Sequence, residues 1–302
     1  MRRWPAIVLL TLCGACSPPS VIDEPSRYHE SRINHLVLHF TSENFARSLE
    51  LLTGRGESRV SVHYLVPAPG DDTYPRSELS VYRLVPESRR AWHAGRSYWS
   101  GTTSLNDSSI GIEIVNESAC VDSNPEAEEP TPDDQDCRLL EYPDAQIELV
   151  IRLAADILER NEDIAPEDVI AHGDIAPTRR VDPGPLFPWK RLYDNGIGAW
   201  YDDDTVARYR RQLTSYPVDT LLIQEALGAY GYPVEATGEP DLQTQFAVRA
   251  FQMHFRPADH GGHVDTETAA ILFALLEKYR PARLRRVLRL HADQRRADLE
   301  PV

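Results

Sequence analysis

Residues 172–189, with the sequence HGDIAPTRRVDPGPLFPW, decide how the larger part of this chain is expected to fold. The β-branched and apolar residues at 169–171 predict a short buried strand that ends at His172. Prolines within the stretch restrict its backbone, so its side chains are held at low entropic cost. His172 and Asp182 supply an imidazole and a carboxylate, part of the three-ligand set of hydrolytic zinc sites. A loop histidine and a capping aspartate would look the same, so the assignment depends on a third ligand.

Length and composition indicate a globular protein with room for more than one domain. The chain has 302 residues, 41% of them hydrophobic, and a formal net charge of −15. This length allows two domains and a sizeable core. Nucleic-acid binding depends on a basic face, so no nucleic-acid partner is expected of so acidic a chain.

The first residues have the pattern of a bacterial lipoprotein signal. After a positively charged start, the apolar run at 7–12 is too short to span a membrane, and small residues then precede Cys16. We expect residues 1–16 to form a signal peptide with Cys16 as the lipidated residue, and residues 17–30 to form a tether. Ser17 replaces the aspartate that marks inner-membrane retention, which favours the outer membrane with the protein facing the periplasm. A plain secretory signal is the alternative.

Two cysteines remain for the folded part of the chain. Cys120 and Cys137 lie in residues 117–141, an acidic, proline-containing segment that interrupts the pattern of strands and helices. A disulfide is the default for such a pair in an oxidising compartment. We therefore predict a solvated surface insertion closed by a disulfide between Cys120 and Cys137.

Strands and helices are mixed over residues 31–212. Short β-branched runs predict strands, and apolar residues at helical spacing predict two helices. Thr41 and Ser42 are candidates for capping the first helix, and Gly54 for ending it. The mixture predicts an α/β domain with a mixed central sheet flanked by helices. The predicted strands are 33–39, 60–66, 81–85, 110–115 and 169–171, and the helices begin near residues 45 and 147.

From residue 213 the sequence predicts helices only. Three apolar stripes at helical spacing predict a small all-α bundle over residues 213–279, with Asp219 and Asp265 as capping residues. Residues 280–302 are rich in arginine and are expected to form a frayed helical tail that could contact anionic phospholipid or cell-wall polymer.

His39 is the best candidate for the third zinc ligand. It ends its predicted strand just as His172 ends its own, and neighbouring strand ends can bring such residues together. His35 has the same facing but lies inside the strand, so we expect it to pack or to lie at the surface. His63 and His93 are expected to have structural or substrate-contact roles.

Glu113 is the candidate acid/base. It lies within the apolar run IGIEIV at 110–115, where a half-buried carboxylate is costly unless it is paired or used. Beside a metal, it could take a proton from the attacking water and later protonate the leaving nitrogen. Exposure on an edge strand is the alternative. Arg180, two residues before Asp182, is placed to stabilise an oxyanion.

Several ordered motifs together resemble one enzyme family. VLHFT, VHYLVP, AWHAG, SLNDSSIGIEIVN and the 172–189 stretch are similar to motifs of zinc-dependent N-acetylmuramoyl-L-alanine amidases. This is the amidase type 2 family, which is related to peptidoglycan recognition proteins. Near the other end of the chain, FQMHFRP and the downstream G-x-V-D-x-E-T resemble a peptidoglycan-binding helical module.

The resemblance implies Zn²⁺ bound by His39, His172 and Asp182, with Glu113 as the catalytic acid/base. It implies cleavage of the amide that joins the lactyl group of N-acetylmuramic acid to L-alanine. Peptidoglycan and muropeptides are then the expected partners, and a monomer is the expected state. The zinc amidase domain would occupy residues 31–212, and the peptidoglycan-binding module residues 213–279.

Two positions depart from the family's pattern. Arg180 stands where lysine is frequent; arginine keeps the charge and the donors but does not readily give up a proton, so oxyanion stabilisation is its expected role. Val62 stands where some relatives carry a catalytic tyrosine, which puts more weight on Glu113.

Two other functions remain open from the sequence. A non-catalytic peptidoglycan-binding protein could share the fold, but such proteins typically lose a zinc ligand, and all three candidate ligands are present here. A zinc peptidase that acts within the stem peptide would use the same metal chemistry, although the motifs speak against it.

Overall fold

The computed structural model describes residues 31–57, 59–123, 131–214 and 218–299, together with four isolated positions between 22 and 28. Residues 1–30 and 31–302 form separate units, and all elements described below belong to the second. The predicted signal peptide with Cys16 lies outside the described residues, as does most of the predicted tether. Within the described part of the chain, no helix has the length and apolar character needed to cross a membrane.

A five-stranded sheet forms the centre of the second unit. Two smaller sheets, β4-β5 and β7-β8, accompany it. In chain order the strands of all three sheets are β1 (His35–Phe40), β2 (Tyr64–Val66), β3 (Tyr82–Arg83), β4 (Tyr98–Trp99), β5 (Thr102–Thr103), β6 (Ser109–Ile114), β7 (Ala119–Asp122), β8 (Gln135–Arg138) and β9 (Val169–Ala171). The central sheet has the order β3-β2-β6-β1-β9, in which β3 is antiparallel to β2 and the other neighbours are parallel. The predicted mixed central sheet is thereby confirmed. The predicted strand at 60–66 is shorter than expected because its first part pairs with a loop, through a hydrogen bond from the Ser61 N–H to the Trp92 carbonyl.

Helices cover both faces of this sheet and make up most of the described chain after residue 203. They are α1 (Phe45–Leu52), α2 (Asp144–Arg160), α3 (His172–Ile175), α4 (Trp189–Asp194), α5 (Asp203–Thr214), α6 (Thr220–Tyr230), α7 (Leu242–Phe255), α8 (Thr266–Tyr279) and α9 (Pro281–Leu299). The apolar side of α2 packs in the main core together with Leu36, Leu38 and Ile112 of the central strands. On the other face, α1 packs against Leu65 of β2 in a smaller cluster. The strands between these helices are almost fully buried, as expected for a parallel sheet covered on both faces.

The cap of α1 differs from the one that the sequence suggested. Asn44 is the capping residue, and its side-chain oxygen accepts a hydrogen bond from the Arg47 N–H. Thr41 cannot serve because its hydroxyl group bonds the Glu43 carbonyl and the Asn116 N–H. Gly54 follows the end of the helix with a φ of 73°, a conformation that glycine adopts at little cost.

The acidic insertion is a disulfide-closed hairpin in its described parts, residues 117–123 and 131–141. Strands β7 and β8 pair antiparallel with Cys120 opposite Cys137, and the predicted disulfide between these residues is present. Arg249 of α7 donates hydrogen bonds to the Pro132 carbonyl, at 3.2 Å, and to the Gln135 side chain, at 2.7 Å. The insertion is therefore attached to the helical part of the chain.

The helical region follows the predicted stripes and adds a further packed helix. Asp219 and Asp265 cap α6 and α8 as predicted, each by accepting a hydrogen bond from an N–H group three residues later. The arginine-rich segment continues as α9, and its Leu284 and Val287 are buried in the main core. The beginning of the predicted tail is thus a packed helix.

Candidate metal centre and active site

The register of the strands brings the candidate catalytic residues to one face of the sheet. Parallel β1 and β6 align His39 with Glu113, and residues aligned in this way point to the same face. On the other side of β1, Leu38 aligns with Ala171 of β9. His172 comes next in the chain and begins α3, so it lies beside His39.

The segment after α3 returns Asp182 to the two histidines. The Gly173 N–H donates a hydrogen bond of 2.9 Å to the Asp182 carbonyl, which ties this loop to the start of α3. Asp182 and both histidines are buried. The prolines of this segment restrict its backbone, so Asp182 is held in this position at low entropic cost, as the sequence predicted for the side chains of the stretch.

Three ligand atoms converge at one point. The Nδ1 atoms of His39 and His172 are 3.0 Å apart, and the Asp182 Oδ2 atom lies 3.1 Å from the first and 3.0 Å from the second. Within the described residues these three side chains form a group able to hold a metal ion. Two imidazole nitrogens and one carboxylate oxygen are ligands that zinc accepts, and a tetrahedral site with bonds of about 2.0–2.1 Å separates its ligand atoms by about 3.3 Å. The donor set and its spacing therefore fit zinc.

The nitrogen of each histidine that faces away from this point also has a partner. His39 Nε2 lies 3.0 Å from His93 Nδ1, and His172 Nε2 lies 3.3 Å from the Ala94 carbonyl oxygen. Both partners belong to one loop. The N–H groups of His93 and Ala94 donate to the Asn106 side-chain oxygen at 2.9 and 2.8 Å, which fixes that loop.

Burial and nearby charges favour, for His39 and Asp182, the protonation states that metal binding needs. Burial lowers the pKa of His39 to about 4, and the neighbouring His172 contributes to the same shift. Burial alone would raise the pKa of Asp182, but the neighbouring His172 holds that pKa well below the usual range. His39 is thus neutral and Asp182 ionised near neutral pH, so neither must lose a proton before it can bind a metal ion.

Glu113 lies against this centre as a sheltered carboxyl group. Its Oε2 atom is buried, and no hydrogen-bond partner for it occurs among the described residues. Burial raises the pKa of Glu113 well above its usual range, the Asp182 carboxylate adds to the rise, and Arg180 opposes it. Because Glu113 occupies the centre of the sheet, the alternative of an edge-strand position is wrong.

A cavity of about 280 Å³ opens onto these side chains. Glu113, His172 and Asp182 line its inner part, and Arg180, which is exposed, lines it as well. Trp92 is 53% exposed at the same cavity. A polar substrate group can therefore reach the candidate metal site, the carboxyl group and a cationic side chain together.

The remaining histidines considered from the sequence have different surroundings. His35 is buried with its Nδ1 3.3 Å from the Ser108 carbonyl, so it packs, as expected. His63 is fully buried; its Nδ1 accepts from the Gly111 N–H and its Nε2 faces the Arg89 carbonyl. For His93 the sequence indicates a structural or substrate-contact role, and it gives no sign of the contact with His39 that the structure shows. The motif AWHAG was the available signal, but nothing in its spacing indicated the partner.

The fold and this site belong to a known family. The family model for N-acetylmuramoyl-L-alanine amidase matches residues 29–185, which contain all five predicted site residues. The chain belongs to that family, and it is an N-acetylmuramoyl-L-alanine amidase. A second model, for a peptidoglycan binding domain, matches residues 218–272 in the helical region.

Individual relatives extend the likeness over most of the chain. N-acetylmuramoyl-L-alanine amidase AmiD of Escherichia coli K12 is 41% identical over 293 residues, which cover 92% of this chain and 99% of AmiD. A crystal structure of AmpDh3 from Pseudomonas aeruginosa in complex with anhydromuramic pentapeptide matches with a TM-score of 0.77 and 42% identity, over 85% of this chain and 96% of that one. The complex of Escherichia coli AmiD with anhydro-N-acetylmuramic acid-L-Ala-D-gamma-Glu-L-Lys matches with a TM-score of 0.70 and 42% identity, over 85% of this chain and 93% of that one.

Proposed function

We propose that this amidase uses zinc, bound by His39, His172 and Asp182, to hydrolyse the amide between the lactyl group of N-acetylmuramic acid and L-alanine. The observation that carries the proposal is the convergence of three ligand atoms within 3.1 Å of one another, in a chain that belongs to this family. Peptidoglycan fragments are the substrate class, since two relatives of matching fold have solved structures in complex with anhydromuramic peptides.

Glu113 is the proton-transfer group of this reaction. When bound, zinc supplies Lewis acidity that lowers the pKa of water and polarises a carbonyl group. Glu113 lies in register with His39 and has a free, sheltered oxygen, so it can accept the proton of the attacking water. A raised pKa lets the same carboxyl group return that proton to the leaving amide nitrogen nearer to neutral pH.

Arg180 is the group that stabilises the negative charge formed on the substrate oxygen. It lies at the cavity, and its positive charge acts on both His39 and Glu113: it adds slightly to the fall in the pKa of His39 that burial causes, and it opposes the rise in the pKa of Glu113 that burial causes. The guanidinium group presents several N–H donors and stays charged, so it suits charge stabilisation better than proton transfer.

The helical region is proposed to hold the enzyme on the cell wall. This role is supported by the peptidoglycan binding domain match at residues 218–272. Residues 213–279 would then be a wall-binding module beside the zinc amidase domain of residues 31–212.

The cell envelope is the proposed location. The pattern at residues 1–16 supports a lipid anchor on Cys16, and Ser17 supports the outer membrane with the protein facing the periplasm. The disulfide of Cys120 with Cys137 is consistent with an oxidising compartment. The protein is proposed to act as a monomer. Labelling of cells with radioactive palmitate would test the anchor: label should enter the wild type and be lost in Cys16→Ser, and equal labelling of both would contradict it.

Mass spectrometry of digested peptidoglycan tests the reaction itself. Purified protein with added zinc should release stem peptides that begin with L-alanine, and removal of the metal by a chelator should stop their release until zinc is returned. Shorter peptides would instead indicate a peptidase, and binding without any product would indicate a recognition protein. Full turnover by metal-free protein would contradict the role of zinc.

A further inference from the structure

We infer that His93 is a positioning residue that fixes the proton of His39 on Nε2 and so keeps His39 Nδ1 free for the metal ion. The inference rests on the zinc site of the proposed function. His93 is buried, and its ring stands edge-on to that of His39 with the ring centroids 5.0 Å apart.

The positions of the protons follow from a chain of contacts that begins at a carbonyl group. Ser109 Oγ lies 2.6 Å from the Leu105 carbonyl oxygen, and because a carbonyl can only accept, the hydroxyl proton points there. The same Oγ lies 3.2 Å from His93 Nε2, so Ser109 accepts in that contact and His93 carries its proton on Nε2.

The second half of the chain reaches the candidate metal site. A neutral imidazole has one N–H group, so His93 Nδ1 presents a lone pair toward His39 Nε2 at 3.0 Å. His39 must then be the donor, with its own proton on Nε2. The lone pair of its Nδ1 faces His172 and Asp182. Partners that hold a metal-binding histidine in this way are typical of zinc sites and fix both tautomer and ring orientation.

The fold around His93 leaves it little freedom to turn. Gly111 of β6 lies under the ring, and a Cβ atom at that position would come within 2.7 Å of His93. The backbone N–H of His93 is held by the Asn106 side chain at 2.9 Å. The ring is thus enclosed between the sheet and the 105–109 segment, and these contacts fix its orientation toward His39.

The test compares two substitutions of nearly equal shape. In His93→Asn, the side-chain oxygen can accept a hydrogen bond near the position of His93 Nδ1. In His93→Leu, the side chain cannot accept one. We expect His93→Leu to weaken zinc binding by about 10- to 100-fold, measured by competition with a chelator, and His93→Asn to stay within a few-fold of wild type. His35→Leu is the control, because His35 is a buried histidine of the same strand as His39 and contacts Ser108 instead; its zinc affinity should not change.

The tautomer can be observed directly in the metal-free protein. Nitrogen-15 spectra of the imidazole rings should show wild-type His39 protonated on Nε2, as should His93→Asn, while His93→Leu should lose this preference. A wild-type His39 protonated on Nδ1 would overturn the inference, as would equal zinc affinity of the Leu and Asn variants. If the wild type bound no zinc, the proposed function would fail. The spectrum of the wild type would still decide the role of His93, because it is recorded without metal and does not depend on whether a variant folds.

Discussion

Replacement of Glu113 by glutamine separates chemistry from metal binding. Glu113→Gln keeps the size and shape of the side chain but cannot accept the proton of water. The three ligand atoms belong to His39, His172 and Asp182, so the zinc content should remain about one per chain. Turnover should fall by roughly 10²- to 10⁴-fold, the usual contribution of a positioned acid/base, which corresponds to roughly 3–5 kcal/mol of barrier.

The surroundings of Glu113 make glutamine a suitable probe. Burial and Asp182 raise the pKa of Glu113 well above its usual range, which shifts the side chain toward the neutral acid, and an amide resembles the neutral acid. The free energy of unfolding of the metal-free variant should therefore remain close to that of the wild type. A stable variant with low turnover would point to chemistry and not to damage.

Two measurements on the same preparation decide the role of Glu113. Elemental analysis gives the zinc content, and mass spectrometry gives the rate at which peptides beginning with L-alanine are released from muropeptides. Glu117→Gln is the control, because Glu117 is exposed and does not line the cavity. Loss of zinc from Glu113→Gln would mean that the ligand set is wrong. An unchanged rate with full zinc content would exclude Glu113 from proton transfer.

Three further predictions concern charge, the insertion and pH. Arg180→Lys should stay active while Arg180→Ala should lose on the order of 10²-fold in turnover, because a charge at the cavity stabilises the oxyanion; equal rates would exclude Arg180 from the mechanism. Thiol titration of the denatured, unreduced protein should find neither Cys120 nor Cys137 as a free thiol, and replacement of both by serine should cost little activity, because neither lines the cavity; free thiols at these positions would contradict the disulfide, and a large loss of turnover would contradict the expected activity. The pKa of His39 is about 6.5 in the unfolded chain and about 4 in the folded metal-free protein. Between these pH values the unfolded state therefore binds more protons, and the free energy of unfolding should fall as the pH is lowered through this range, by roughly 3 kcal/mol from His39. Denaturant titrations at several pH values should show this slope reduced in His39→Gln, and an equal slope in both would refute it.

The sequence indicated the central site because each of its residues carries a local signal. His39 and His172 end apolar runs of strand length, and Glu113 is an acid inside such a run. In the structure these positions align across neighbouring parallel strands, which is how residues far apart in the chain come together. Asp182 is indicated by the prolines around it and by its place in the same stretch as His172.

Other features depend on contacts that no local pattern reveals. His93 lies in a loop without periodicity, and its partner His39 is 54 positions away. Thr41 had the right chemistry to cap α1, but its hydroxyl group is used elsewhere, and Asn44 caps the helix instead. In α9 the many arginines indicated an exposed tail, although Leu284 and Val287 pack the helix into the core.

A buried aspartate connects the helical region to the candidate metal site. Asp174 lies in α3, two residues after His172, and is fully buried. One of its oxygens accepts from the Tyr232 hydroxyl at 2.7 Å, and the other lies 2.7 Å from His254 Nδ1 and accepts from the Ala171 N–H at 2.8 Å.

Tyr232 and His254 both come from the helical region, and a buried carboxylate without such partners is costly. The same His254 ring stacks on Trp189 with the ring centroids 3.7 Å apart, so it holds both ends of the 172–189 stretch. Residues that match a peptidoglycan binding domain therefore also support the short helix that carries a candidate metal ligand. Removal of the helical region would leave Asp174 with only its backbone partner among these three. The geometry of the amidase site thus depends on residues beyond the segment that carries the catalytic motifs.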